Sequence, residues 1–532
     1  MNAIVYTNGP IVTMEEGSAM PQAVRVEDDR ITYVGDLSTA KGKGDVQLFD
    51  LNGHTLLPGF IDAHSHIASF ASTLGLAVLE GARDFEDIVA RMKNFIQKND
   101  LAPDQWIMGF GYDHNELKEG AHPDKTVLDR ICVDRPILIT HKSGHMGVAN
   151  SKALALLGLQ PSTPNPQGGT IGRMPGTQEP NGYLEEMAFV QSSAKVPAPS
   201  RQQMVRQFAQ AQKIYASYGI TTAQEGLSKG MQWDLLKAVA EQGGLFLDIV
   251  SYIDLKEQAP LLQREIGIFG NYHRNLRIGG YKMFLDGSPQ GRTAWMTTPY
   301  QGTAECGYPI YTDEQVCQMM RISLEAGQQL LVHCNGDAAA QQMIDCYRRV
   351  TEHRPDSDSR PVMIHAQLVR PDQLQQMAPL HIIASFFVAH TRYWGDTHVQ
   401  NFGFARAESI SPVRSAIQSG VVYTFHQDTP VLPPNMLDTL VCAIQRTTRA
   451  GTILGASERI SAYEALKAIT IHAAYQYHEE EEKGSIRAGK RADLVILGQN
   501  PLEVCTEELR NIPVLMCIKD GQIIYDHASD TR

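Results

Sequence analysis

Apolar residues in the middle of the chain recur in short continuous runs that alternate with stretches of helical character. Runs that are apolar on both faces predict strands of a parallel sheet with helices packed on either side. The candidate strands are Gly59–Ala63, Trp106–Gly109, Ile137–Thr140, Ile220–Gln224, Leu247–Ile253, Tyr281–Leu285, Leu330–His333, Val362–His365, Ile382–Val388 and Val421–Phe425. This alternation predicts an α/β fold of the (β/α)8 barrel type.

The candidate strands outnumber the eight of such a barrel, so some of them are expected to belong to an insertion. We place the insertion at about 80–195, because Pro, Gly, Asn and Thr are dense there, above all in 160–183. Sequence alone does not identify the second and third barrel strands. Farther along, Ser461 followed by Glu464 forms a capping box that predicts a helix start. The apolar face of that helix comprises Leu466, Ile469 and Ala473.

The two ends of the chain show a different pattern, in which short alternating strands are separated by turn residues. The early strands are Ala3–Tyr6, Val24–Val26 and Ile31–Val34, and the late ones are Ala492–Leu497, Val514–Ile518 and Ile523–Tyr525. Two such ends predict one antiparallel sheet domain built from residues 1–57 and 484–532. The barrel then occupies residues 58–483.

Composition narrows the class of protein. The 532 residues are 43% hydrophobic and carry a net charge of -12, which argues against nucleic acid as the main partner. No basic leader and no apolar run of about 20 residues is evident, so we expect no membrane segment. The eight cysteines are scattered, with no CxxC pair, which favours buried thiols in a reducing compartment and predicts a cytoplasmic protein.

The segment Pro58–His66 carries the clearest chemistry. His64 and His66 are two residues apart in an extended stretch, so both imidazoles would face the same side and reach one metal ion. The alternative is two histidines at a strand end that pair with carboxylates.

Further ligand types follow other predicted strands. His333 and His365 each close an apolar run, and Asp428 comes shortly after Val421–Phe425. Because the carboxyl ends of barrel strands open on one face, these side chains would converge with His64 and His66. Each one alone is more often an ordinary polar strand terminus, but the whole set favours a metal site.

Taken together, these motifs resemble the amidohydrolase superfamily, in the YtcJ-like branch called amidohydrolase family 3, which includes N-substituted formamide deformylase-like enzymes. The resemblance covers nearly all of the chain. The matching segments are Pro58–His66, Ser143–Ala153, Lys282–Ala294, His333–Ala338, His365–Gln367 and Gln427–Val431. The resemblance implies a distorted (β/α)8 barrel, a β-sandwich domain built from both termini and, as in many such enzymes, a homodimer.

The resemblance also implies a ligand set for one or two divalent ions, with zinc favoured and Mn, Fe, Co or Ni also suitable. The implied ligands are His64, His66, Lys282, His333, His365 and Asp428. In members with two metals the lysine is carboxylated and bridges the ions; the alternative is an ordinary lysine paired with Asp286 or a glutamate. His426-Gln427 stands where many relatives have Gly-Ser, and His426 would either add a hydrogen bond in the pocket or be structural.

The reaction implied is hydrolysis of an amide-type, non-peptide C–N bond in a small molecule. A zinc-class ion lowers the pKa of a bound water toward about 7, and Asp428 would act as general base and then as general acid. Hydrolysis of an ester or lactone uses the same site, and a catalytically silent binding protein is the alternative from another class. The retained ligands and Asp428 argue against that last alternative.

Substrate contacts are predicted in loops and at strand ends. The candidates are His145, Asp113, His114, Asn150, Asp286, Arg292, His390 and Trp394. Those before residue 195 lie in the inserted region, which we interpret as a lid. Arg292 would bind a substrate carboxylate or else pair with Asp286 or Glu305.

Overall fold

A computed structural model describes residues 3–17, 20–42, 45–99, 101, 105–256, 265, 270–352 and 358–530. In chain order its strands are β1 (Ala3–Thr7), β2 (Ala23–Glu27), β3 (Arg30–Gly35), β4 (Val46–Asp50), β5 (Thr55–Pro58), β6 (Phe60–Ile61), β7 (Leu76–Val78), β8 (Ile107–Tyr112), β9 (Ile137–His141), β10 (Met146–Ala149), β11 (Gly169–Arg173), β12 (Pro180–Glu186), β13 (Ile220–Ser228), β14 (Asp248–Asp254), β15 (Leu276–Phe284), β16 (Gln329–Cys334), β17 (Val362–His365), β18 (Ile383–Phe386), β19 (Tyr423–Phe425), β20 (Leu494–Leu497), β21 (Val514–Lys519) and β22 (Gln522–Asp526).

The helices are α1 (Leu37–Lys41), α2 (Ile67–Thr73), α3 (Phe85–Lys98), α4 (Lys125–Asp129), α5 (Ser151–Leu157), α6 (Met187–Ser193), α7 (Arg201–Ser217), α8 (Gly230–Glu241), α9 (Asp313–Glu325), α10 (Asp337–Thr351), α11 (Pro371–Met377), α12 (His390–Tyr393), α13 (Gly395–Phe402), α14 (Phe404–Ala407), α15 (Val413–Gln418), α16 (Met436–Gln445), α17 (Ala462–Ala468), α18 (Ile471–Gln476), α19 (Thr506–Leu509) and α20 (His527–Asp530). The chain divides into two compact units, one of residues 1–70 and 208–532 and the other of residues 71–207.

The first unit contains an eight-stranded, all-parallel sheet in the order β6-β13-β14-β15-β16-β17-β18-β19. Eight of the ten predicted strands lie in this sheet, and β13 and β14 supply the second and third positions that the sequence left open. These strands are buried almost throughout, which explains their apolar runs.

The sheet curls, so that the carboxyl ends of its first and eighth strands come together. The amide of His66, five residues beyond the end of β6, donates to the carbonyl of Thr429, four residues beyond β19, at 2.8 Å. Side chains that follow the strands are thereby directed into one region at this edge of the sheet.

The terminal strands form two further sheets in the first unit, with the orders β3-β2-β1-β4 and β22-β21-β20-β5. The first is not purely antiparallel as predicted, because β4 pairs with β1 in parallel. The two sheets share one hydrophobic cluster that includes Tyr6, Val24, Leu494 and Ile518. This shared core supports the composite sheet domain, whose sandwich form and boundaries stay predictions.

A buried ion cluster connects the parallel sheet to the last strands of the chain. Asp248, the first residue of β14, lies 2.6 Å from Lys483 Nζ and 3.1 Å from Lys519 Nζ, and all three side chains are at most 2% exposed. Burial alone would raise the pKa of Asp248, but the two ammonium charges outweigh it and lower that pKa. The carboxylate therefore stays ionised and compensates both lysines.

The second unit has its own six-stranded mixed sheet, in the order β11-β12-β10-β9-β8-β7. The predicted strands Trp106–Gly109 and Ile137–Thr140 correspond to β8 and β9 here, which explains why ten candidates were found. A hydrophobic cluster that includes Ile88, Met92 and Ile107 packs within this unit. The unit overlaps the predicted insertion at about 80–195, whose boundaries stay a prediction.

The capping box predicted at Ser461 is present at the start of α17, with Glu464 bonded back to the cap. The prediction of one continuous helix is wrong, because α17 ends at Ala468 and α18 begins at Ile471. Thr470 between them has a non-helical backbone. All eight cysteines are free thiols. Among the described residues, every helix is too short or too polar to span a lipid bilayer.

Candidate metal centre

His64 follows β6 and is 1% exposed. Its Nδ1 donates to Oε1 of Gln224 at 2.5 Å, so the other ring nitrogen, Nε2, is left to face the carboxyl edge of the sheet. Gln224, on β13, is itself fixed because its amide donates to Ala63 O and to the Tyr477 hydroxyl, each at 2.8 Å. This arrangement holds His64 in the tautomer and orientation that a metal ligand needs.

His66 lies between two carboxylates. Its Nε2 is 3.5 Å from Oδ1 of Asp428, and its Nδ1 is 3.7 Å from Oε1 of the buried Glu225. Burial would lower the pKa of His66, but the two carboxylates outweigh it and raise the pKa to about 9. Glu225 supports the ring in the way that carboxylates orient metal-binding histidines.

Asp428 lies beside both of these histidines, and its carboxylate is the third potential ligand of this centre. Its Oδ1 lies 3.5 Å from Nε2 of both His64 and His66, yet it is buried with no hydrogen-bond partner among the described residues. An acceptor buried in this way is costly unless something else binds it. The backbone of Asp428 has φ 52°, in the left-handed region that residues other than glycine rarely adopt.

A second set of histidines follows β16 and β17. Nδ1 of His333 faces Nε2 of His365 at 3.1 Å, and His365 also has a strained backbone with φ 76°. The other nitrogen of His365 lies 3.2 Å from His426 Nε2, and His426 Nδ1 lies 2.9 Å from the hydroxyl of Ser385. His426 therefore supports a predicted ligand directly.

Lys282 lies on β15, the fourth strand of the sheet, and is 1% exposed. Its Nζ is 3.3 Å from Nε2 of His64, and no carboxylate of the described residues is within ion-pair distance of it. The pairing with Asp286 or a glutamate that the sequence left open is therefore absent. Burial lowers the pKa of Lys282 to about 7.

These residues fit a divalent ion. Four imidazoles and a carboxylate are the donors that zinc and similar ions prefer. Burial, followed by the charge of Lys282, lowers the pKa of His64 and brings that of His333 to about 3, so both rings are neutral and have lone pairs to offer. The ligand atoms of His64, His66 and Asp428 lie within 4.8 Å of one another. Oδ1 of Asp428, which lies between two histidine nitrogens without a hydrogen bond, is the position where a cation would join these ligands.

Three supporting residues were missed by the sequence reasoning: Gln224, Glu225 and Gly226. A Cβ on Gly226 would lie 2.5 Å from Cε1 and 2.8 Å from Nδ1 of His64, so only glycine leaves room for that ring. The signal in the sequence was Gln224-Glu225, two large polar residues within a strand that the structure buries almost throughout.

Aromatic residues connect two predicted substrate contacts to this region. Phe387 lies between His365 and His390, with ring centroids 6.2 Å and 4.7 Å away. Trp394 packs on His390 at 4.6 Å. His390 and Trp394 therefore lie beside the candidate ligands, on a wall that is largely aromatic. Lys282 and Phe284 also line a cavity of about 200 Å³.

Two other predicted substrate contacts have structural roles. Asp286 uses both carboxylate oxygens to accept the amides of Trp295, Asn335 and Gly336 at 2.7–3.0 Å, which ties together the segments after β15 and β16. Arg292 is exposed and donates to Asn401 Oδ1 at 2.9 Å, not to Asp286 or Glu305 as the sequence had suggested.

The remaining candidates lie in the second unit. The prediction for Asn150 is not supported, because its amide makes four hydrogen bonds within that unit: it accepts from Ile137 N and Ala153 N and donates to Cys132 O and Arg135 O. His145 is exposed and pairs with Glu186 at 3.2 Å. Asp113 and His114 form a cluster with His141.

Comparison with known proteins gives a family model and several relatives. A family model described as the amidohydrolase family matches residues 47–525. The chain is 28% identical to Protein LONG AFTER FAR-RED 3 of Arabidopsis thaliana over 98% of this chain and 91% of that one. It is 27% identical to the N-substituted formamide deformylase of Arthrobacter pascens over 99% of both chains. An uncharacterized metal-dependent hydrolase from Pyrococcus furiosus is 25% identical, with a TM-score of 0.76 over 94% of this chain and 100% of that one.

Proposed function

The chain belongs to the amidohydrolase family, and from that premise we propose that it uses a bound divalent metal to hydrolyse a C–N bond in a small, non-peptide amide. The observation that carries the proposal is the buried Oδ1 of Asp428, 3.5 Å from two histidine nitrogens and without a hydrogen bond. The choice of bond is supported by the relative whose name gives N-substituted formamides as its substrate, so N-formyl and N-acyl amides are the first compounds to test.

In this mechanism His64 and His66 would hold the metal with Asp428, and His333 and His365, at the ends of β16 and β17, would hold it or a second ion. When bound, the ion would activate water and polarise the substrate carbonyl. Asp428 accepts the proton of the attacking water as the new C–O bond forms. It then delivers that proton to the nitrogen as the C–N bond breaks, so the products are a carboxylic acid and an amine.

We further propose that Lys282 is carboxylated. A buried amine 3.3 Å from His64 Nε2, with no carboxylate of the described residues within ion-pair distance, is a poor neighbour for a cation, whereas a carbamate offers two anionic oxygens. The reaction joins the amine nitrogen to carbon dioxide and releases one proton. Native mass spectrometry should detect the mass of one added carbon dioxide, which is lost in Lys282→Ala. Metal reconstitution should improve with added bicarbonate.

The test combines metal analysis with a substrate panel. Protein purified without added metal should hold at least one equivalent of a transition metal at this centre. His64→Ala should lose the metal that this centre binds, while the exposed control His273→Ala keeps it. Asp428→Asn should lower turnover of N-acyl amides by about 10²–10⁴-fold. Full turnover by metal-loaded Asp428→Asn would contradict its role as base.

Matched esters and lactones decide the type of bond. Faster turnover of amides than of the corresponding esters supports the proposal, and turnover of esters or lactones alone replaces it with an esterase. Metal binding without turnover of either class would favour a binding protein.

A further inference from the structure

A second cluster of metal-ligand side chains lies in the unit of residues 71–207. Tyr112 and His141 are the last residues of β8 and β9, and they are partners in the register of these parallel strands. Asp113 and His114 follow Tyr112 directly, so they lie beside His141 at the carboxyl edge of this sheet. Side chains at the carboxyl ends of adjacent parallel strands often form ligand sites.

The three potential ligand atoms are close together. Nε2 of His141 is 3.3 Å from Oδ1 of Asp113 and 3.3 Å from Nδ1 of His114, and these last two atoms are 3.7 Å apart. A tetrahedral ion with bonds of about 2.0–2.1 Å holds its ligands about 3.3–3.4 Å apart. The side chains therefore have the spacing of ligands around one ion.

The three atoms face one another without bonding one another fully. Oδ1 of Asp113 accepts from the backbone amide and the side-chain amide of Asn115, at 3.0 Å and 3.1 Å. Nε2 of His141 lies 3.3 Å from both Asp113 and His114, and it can bond only one of them at a time. The distance of 3.7 Å between Asp113 and His114 is too long for them to bond each other. A cation placed among the three atoms would contact all of them at once.

The surroundings orient the three side chains for this role. His141 Nδ1 lies 2.9 Å from the hydroxyl of Ser143 and accepts the backbone amide of Ser143 at 3.1 Å, so Ser143 fixes this ring with Nε2 facing the cluster. Metal binding at Nε2 would need the proton on Nδ1, where the hydroxyl of Ser143 can accept it. The ring of His114 stacks on His122 with centroids 4.0 Å apart, and His122 Nδ1 lies 3.1 Å from the Tyr112 hydroxyl. The positions of both candidate imidazoles are thus set by neighbours that are not themselves ligands.

The carboxylate of Asp113 is also held in place and kept ionised by its neighbours. It is 6% exposed, its Oδ2 pairs with Lys142, and its Oδ1 accepts the amide of Asn115 at 3.0 Å. These bonds, that of Lys142 first, hold the pKa of Asp113 well below its usual range, so the carboxyl is ionised. Lys142 is half-exposed and also pairs with Glu116 at 3.2 Å, which partly offsets its charge.

We propose that Asp113, His114 and His141 bind a second, independent divalent transition-metal ion of the zinc class. Two imidazoles and one carboxylate suit such an ion and leave at least one coordination position for water or a small ligand. The site lies wholly within the second unit and does not depend on the proposed hydrolase activity.

The test measures zinc per chain in the full-length protein after loading with zinc alone and removal of the excess. Four proteins are compared: wild type, His64→Ala, His141→Gln and the double variant. We expect His141→Gln to bind one equivalent of zinc less than wild type, and the double variant to bind one equivalent less than His64→Ala. This difference does not depend on how much zinc the centre at His64 binds. His114→Gln, which changes a part-exposed ring, should do the same, and the exposed control His145→Gln in the same unit should not.

Cobalt loading of His64→Ala gives a second measurement. Visible absorption bands of histidine-bound cobalt that disappear in His64→Ala/His114→Gln would support the site, with circular dichroism to show that both variants are folded. The proposal is overturned if His114→Gln and His141→Gln bind as much zinc as wild type. If His64→Ala loses hydrolysis but still binds the zinc equivalent that His114→Gln and His141→Gln lose, the two sites are independent.

Discussion

Replacing Gln224 by leucine should weaken metal binding without touching any ligand. The side chain accepts a hydrogen bond from His64 Nδ1 at 2.5 Å and is anchored by two bonds of 2.8 Å to Ala63 and Tyr477. Leucine has a similar size but no acceptor, so His64 is free to carry its proton on Nε2, the atom that must bind the metal. Loss of such a supporting contact typically costs 10- to 100-fold in metal affinity, which is about 1.4–2.8 kcal/mol.

The assay is zinc competition against a chelator of known affinity at neutral pH. The matched control is Gln212→Leu, because Gln212 is equally buried and its amide also makes three hydrogen bonds, to Gly244, Phe246 and Leu247. Both variants should unfold at lower urea concentration, since each strands buried polar groups at a cost of about 1–3 kcal/mol apiece. Only Gln224→Leu should bind zinc more weakly.

Two outcomes would refute this reasoning. Equal zinc affinities for wild type and Gln224→Leu would mean that His64 keeps its orientation without Gln224. An equal loss in both variants would mean that general destabilisation, not the bond to His64, controls affinity. Gln224→Glu retains an acceptor for His64 Nδ1 and should keep most of the wild-type affinity.

Three other perturbations follow from contacts that the structure defines. Gly226→Ala places a Cβ 2.5 Å from the ring of His64 and should reduce zinc affinity. The control Gly230→Ala, which has open space around its Cβ, should not. Equal zinc affinities of the two variants would show that the His64 ring can move aside without loss of binding. Asp248→Asn removes a carboxylate that two buried lysines share, while Glu479 stays beside Lys483, and Asp493 and Asp520 stay beside Lys519. The substitution should lower the free energy of unfolding by about 1–3 kcal/mol in urea titrations, and an unchanged free energy would contradict this. Burial lowers the pKa of His398 to about 4. Below about pH 6.5 the histidine of the unfolded chain binds a proton that the folded protein does not bind, so the free energy of unfolding falls. Between pH 7 and pH 5 wild type should lose about 2 kcal/mol more of this free energy than His398→Gln, and equal losses would refute the assignment.

The strands and the ligand positions were predictable because both depend on short-range patterns. A strand buried on both faces must be apolar throughout, and β16 and β17 are recognisable from that property alone. The ligands then follow at the strand ends, where His333 and His365 change the pattern from apolar to polar. Parallel topology brings these ends together without further information.

Other features depend on contacts between residues that are distant in the chain. Gln224 and Glu225 gain their roles only because β13 lies next to β6, which brings them beside His64 and His66. The break at Thr470 likewise has no local signal as strong as proline or glycine. The strands of the second unit have the same apolar pattern as barrel strands. The sequence therefore showed that there were more candidate strands than a barrel holds, but not which of them belong to the barrel.

The geometry of Asp428 supports the proposed metal centre. Positive φ values at Asp428 and His365 cost free energy. The contacts of Asp428 Oδ1 are two ring nitrogens at 3.5 Å, which is longer than a hydrogen bond, although His66 beside it has a raised pKa and can share its charge. The fold holds these groups where a cation would satisfy them, so metal binding needs little rearrangement. We therefore interpret the strain as the cost of keeping the centre ready to bind.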